Sequence, residues 1–142
     1  MAEISIRWTM MVLIMVCGIQ DLRSKKIYLW LLLIGAVIMG ACIPFSASLL
    51  IIDRIAGLAV GIVVIVISFA TRGKIGLGDG ILLCITGIGL GFWSNMELFA
   101  IALFLAAVTS IILLSFRIVD RKKSIPFVPF LFIGYLIIFL ER

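Results

Sequence analysis

The chain has 142 residues, 65% of them hydrophobic and 13% charged, whereas soluble domains use roughly 45–50% apolar and 25% charged residues. It carries a net charge of +5 and no histidine, which excludes serine or cysteine catalysis assisted by an imidazole. Cys17, Cys42 and Cys84 lie apart in apolar blocks without metal-ligand spacing. An integral membrane protein is expected, with neither a metal nor a cofactor.

The apolar blocks are near the ~20 residues that a ~30 Å hydrocarbon layer selects for a helix. They predict six spans over residues 4–20, 27–43, 49–70, 80–95, 97–116 and 125–140, forming one all-α bundle over 1–142. The first block contains Arg7 and is followed by no small-residue cleavage site, so it reads as a span and not as a signal peptide. It ends at Asp21. The third block holds Gly57-Leu-Ala-Val-Gly61 and the fourth Gly87-Ile-Gly-Leu-Gly91. Such spacing lets backbones approach closely in lipid, where no hydrophobic drive brings helices together.

Between these blocks lies Lys74-Ile-Gly-Leu-Gly-Asp-Gly80, one carboxylate among three glycines. Gly80 to Trp93 would make a helix of about 21 Å at a ~1.5 Å rise, short of the ~30 Å layer. Asp79 is therefore expected at or just within the membrane surface. Gly76, Gly78 and Gly80 allow tight or left-handed backbone and the close approach of another chain.

Basic residues give the orientation. Arg23, Lys25 and Lys26 follow the first span, Arg72 and Lys74 the third, and Arg117, Arg121, Lys122 and Lys123 the fifth; only Arg7, Arg54 and Arg142 fall on the other side. Positive residues stay inside, which places those three connections in the cytoplasm and both termini outside. The basic balance thus reflects topology and contact with anionic lipid; no nucleic-acid partner is expected.

Parity sorts the acids. Asp21 and Asp79 are separated by two full crossings and share the cytoplasmic face, while Asp53 and Glu97 fall on the opposite one. Asp120 shares the cytoplasmic side but sits among Arg117, Arg121, Lys122 and Lys123 and reads as a solvated ion partner. Taken alone, Asp79 reads as an N-cap and Asp21 as a solvated partner of Arg23 or Lys25. Taken together they suggest a shared site. Two facing carboxylates retain one proton between them, so the charged member can act as base on a water while the protonated member donates to a peptide carbonyl. A small transporter or channel component is the alternative from another class, because intramembrane acids also mark ion pathways.

These residues resemble a known group. Gly76-Leu-Gly-Asp79 is similar to the G-x-G-D motif of intramembrane aspartyl proteases, and Asp21-Leu-Arg-Ser-Lys-Lys-Ile27 resembles the D-x-R-x-x-x-I-P-N stretch of the prepilin peptidases among them. Ser124-Ile-Pro-Phe-Val-Pro-Phe130 is similar to the I-P-F-x-P-F sequence before their last helix. The resemblance implies Asp21 and Asp79 as the catalytic pair, with Gly76 and Gly78 shaping the motif loop. It also implies cleavage of the short basic leader of type IV pilin-like precursors at the cytoplasmic membrane face. Tyr28-Leu29 stands where the group often has Pro-Asn, and Ile81 where many members have a lysine. These departures keep a non-catalytic assembly protein as a further alternative. No segment resembles the tetracysteine domain of longer members, so peptidase activity without methyl transfer is expected.

Overall fold

A computed structural model describes residues 2–24, 27–42, 44, 49–72, 75–116 and 125–141, with only the backbone of residues 2 and 3. Lys25, Lys26, Lys74, Asp120 and the basic residues around Asp120 lie outside the described residues. The described chain is all helical: α1 (Ala2–Ser24), α2 (Leu29–Cys42), α3 (Ile51–Ala70), α4 (Leu77–Leu90), α5 (Phe92–Ser115) and α6 (Val128–Glu141). One helix answers to each expected block, with α4 and α5 beginning earlier than expected. By length and composition α1 from Ile4, α3 and α5 can cross a membrane, whereas α2, α4 and α6 are apolar but shorter, at 14 residues each. The molecule is an all-helical membrane protein.

Helix α4 is the hub, packing against α1, α2, α3 and α5, while α6 lies between α1 and α5. Its buried side chains, Leu82, Leu83 and Ile85, meet Met10 and Ile14 of α1, Leu32 and Met39 of α2 and Leu98 of α5 in one apolar core. The closest pairing is α3 with α4, and the two glycine motifs cause it. A Cβ on Gly61 would lie on the backbone nitrogen of Cys84 and 2.7 Å from the Gly80 carbonyl oxygen. One on Gly57 would strike the Gly87 carbonyl, and one on Gly87 the Gly57 carbonyl. The helices touch backbone to backbone, the arrangement expected of these glycines in lipid.

The boundary between the fourth and fifth helices departs from expectation. The sequence placed it near residue 96; it falls at Gly91, with φ of 79°. Only glycine takes this conformation without strain. A side chain there would also run into the Asp53 carboxylate, whose Oδ1 accepts the Phe92 N–H at 3.2 Å and so caps α5 from another helix. The polar pair Ser94-Asn95 is buried inside α5. Asn95 Nδ2 donates to the carbonyls of Gly57 and Leu83, both at 3.0 Å, and its Oδ1 accepts from Thr86 Oγ1 at 2.7 Å. One amide thereby ties three helices, with its polar atoms satisfied as a buried group requires. At the same end Arg54 Nη1 donates to the Ile88 carbonyl at 2.8 Å.

The steric argument is testable with two alanines. Gly61→Ala should lower stability by about 1–3 kcal/mol in a dodecyl sulfate unfolding titration. Gly40→Ala, whose new methyl meets nothing within 4 Å, should be neutral or slightly stabilising through helix propensity. Equal midpoints for the two variants would show that α3 and α4 are not in backbone contact.

Candidate active site

Several local arrangements build one end of the bundle, where α1 and α3 finish and α4 and α6 begin. Helix α3 ends with Arg72 in a left-handed conformation, φ 55°. The buried Ser68 hydroxyl then donates to the Ile75 carbonyl at 2.6 Å, fixing the chain immediately before Gly76. Gly76 is the N-cap residue of α4, with ordinary extended angles. Asp79 occupies the third helical position, its N–H donating to the Gly76 carbonyl at 3.2 Å. The isolated N-cap reading of Asp79 is thus corrected: its carboxylate folds back over Gly76, and a Cβ there would be 2.9 Å from Oδ2.

The motif glycines act through space and not through left-handed backbone, which among the described glycines only Gly91 adopts. A Cβ on Gly78 would lie 3.0 Å from Ile27 Cδ1 and 3.1 Å from its Cβ. The absent side chain lets the segment after α1 rest on the start of α4. That segment is held by Gln20, whose Oε1 accepts the Tyr28 N–H at 3.3 Å. Residues 27 and 28 are not helical and α2 begins at Leu29, so the helix breaks here without a proline.

Asp21 is not the solvated acid that its basic neighbours suggested. It is only 7% exposed, and its Oδ2 accepts the Val128 N–H at the start of α6 at 3.1 Å, while Arg23 points outward. A carboxylate can be buried this way because the donor offsets part of its lost hydration. Asp79, partly exposed in the first turn of α4, lies at the same end of the bundle. The structure therefore brings Asp21, Gly76, Gly78 and Asp79 to one end. Asp53 lies at the opposite end, capping α5. Sequence reasoning missed Gln20, Ser68 and the Val128 amide. The first two are polar residues on apolar helices, a signal that was present; a backbone donor leaves none.

The fold and the site define a class: an all-helical membrane protein that gathers two acids from different helices at one end of its bundle. The chain belongs to the type IV leader peptidase family, whose model matches residues 8–115. Membership makes it a prepilin-type peptidase and implies pilin-like precursors as substrates. The matched residues include Asp21 and the Gly76–Asp79 motif and stop before α6. Comparison with curated proteins and with solved structures gives no match.

The contact between Gly76 and the Asp79 carboxylate gives an expected outcome. Gly76→Ala must swing that carboxylate aside, and precursor processing should fall roughly tenfold or more with the unfolding midpoint retained, because the displaced atoms belong to one side chain at a helix start. Unchanged processing rates would show that the orientation of Asp79 is immaterial.

Proposed function

We propose that this chain is an aspartyl endopeptidase that removes the short basic leader of type IV pilin-like precursors, using Asp21 and Asp79 with one water and no N-methyl transfer. The observation that carries the reading is that Asp21, in the last turn of α1, and Asp79, in the first turn of α4, lie at one end of the bundle, where Gly78 rests against Ile27. Facing carboxylates share one proton. The ionised member takes a proton from the water as its oxygen attacks the scissile carbonyl carbon; the protonated member gives its proton to the carbonyl oxygen. When the tetrahedral intermediate collapses, the C–N bond breaks and the amine leaves with a proton returned by the first carboxylate. The pair titrates as a unit.

The site faces the cytoplasm in this reading. Nine of the twelve basic residues belong to the connections at the Asp21 and Asp79 end, and positive connections are retained inside. Six crossings with both termini outside follow, and the leader, lying at the cytoplasmic boundary of the precursor's hydrophobic helix, meets the acids at the membrane surface. In a cysteine-free background, Arg72→Cys should be labelled only from the cytoplasmic side and Trp93→Cys, at the exposed α4–α5 junction, only from outside; labelling of both from one side would overturn this topology.

The hydrogen bond to Val128 makes Asp21→Asn an unusually clean test. Asparagine caps a helix start about as well as aspartate, so α6 keeps its partner while one carboxyl of the pair is lost. Asp21→Asn and Asp79→Asn should each lower processing of a co-expressed precursor by roughly 10²–10⁴-fold without loss of folded protein. Asp53→Asn, which alters a cap of the same kind at the far end, should process close to the unsubstituted rate. Full processing by either of the first two variants would refute the pair.

A further inference from the structure

The two oxygens of Asp21 do not have equal surroundings, because Oδ2 accepts the Val128 N–H at 3.1 Å. We propose that this amide aims the carboxylate: by fixing Oδ2, the first residue of α6 leaves Oδ1 as the oxygen that meets Asp79 and the attacking water, so that Val128 is a positioning residue through its backbone. The inference rests on the reading of Asp21 and Asp79 as the catalytic pair and adds a third element to the machinery, one lying beyond residues 8–115 that match the family.

The local sequence makes this donor the one available. The first four N–H groups of a helix have no carbonyl within it. In Pro126-Phe-Val-Pro-Phe-Leu131 the second helical residue, Pro129, has no N–H at all, and the amides of Phe130 and Leu131 both turn to the Phe127 carbonyl, at 3.0 and 3.2 Å. Val128 alone in this turn directs its amide to another helix. The bond is also held from both sides. Val128 is fully buried and Asp21 nearly so, in surroundings where a hydrogen bond is stronger than in water. Gly18, three residues before Asp21, faces the start of α6: a Cβ there would make ordinary van der Waals contact, 3.8 Å from Pro129 Cα and 3.9 Å from the Val128 carbonyl carbon. Phe127, just outside α6, meets Phe99 of α5 edge to face with ring centroids 6.3 Å apart. The start of α6 is therefore anchored to α5 independently of Asp21, as a group that orients a catalytic acid needs to be.

A merely structural cap predicts a different outcome. In the full chain, Val128 is replaced by its α-hydroxy analogue through stop-codon suppression during cell-free synthesis into vesicles, which removes the N–H and keeps the side chain. The same replacement at Leu131 weakens the first turn of α6 but leaves the Val128 amide in place. With a purified pilin-like precursor carrying a basic leader, the Val128 ester should lower kcat about tenfold or more relative to the Leu131 ester, with KM and unfolding midpoint alike in the two. Equal kcat values, or a change in KM alone, overturn the proposal. If the Val128 ester does not accumulate as folded protein, Gly18→Phe, whose ring extends past the contact that a Cβ would make with the start of α6, takes its place with the same kcat-selective loss expected and the same outcomes opposing it. Asp21→Asn and Asp79→Asn in the same preparation keep the two readings apart. If both are inactive while the Val128 ester retains full kcat, positioning fails and the pair stands; if either cleaves at full rate, the pair fails and positioning with it.

Discussion

A helix that begins inside a bundle exposes amide hydrogens with no carbonyl to receive them, and in an apolar setting each must find a partner on another helix. This constraint organises the molecule at both ends. Asp21 receives the free amide of α6, Asp53 receives that of α5, and Ser68 deals with the converse problem by donating to a loop carbonyl ahead of α4. The site is assembled from two of these solutions, which is why its acid is buried and oriented and yet belongs to a helix end.

Backbone contact between α3 and α4 supplies the rigid frame. Gly57 and Gly61 face the backbone of α4 closely enough that no side chain fits between, and Asn95 pins the same pair to α5. With α4 fixed, its first turn sits in a defined place, and Gly76 and Gly78 leave room for a carboxylate on one side and Ile27 on the other. The same residue type therefore does two jobs along one chain: helix-to-helix packing in the bundle, and clearance at the site.

Four polar residues outside the site hold the far end. Arg54, Asn95, Thr86 and Asp53 bond to carbonyls, amides or one another. This distribution matches an enzyme with one working end and a structural one better than a polar path through the bundle.

Composition and block length determined that the chain is helical and membrane-bound, and the glycine spacing marked the third and fourth blocks as able to approach another backbone closely, because these follow from solvent and size alone. Parity counting placed Asp21 and Asp79 at one end, since each crossing reverses direction whatever the packing. The tertiary structure decided the rest. The α4–α5 break moved to Gly91 because Asp53, 38 residues earlier in the chain, caps α5 there; Asn95 became core because its partners lie on two other helices; and Asp21 exchanged water for an amide 107 residues away. Hydrogen bonds between distant backbone and side-chain groups depend on how helices meet, and no local pattern in a sequence encodes that.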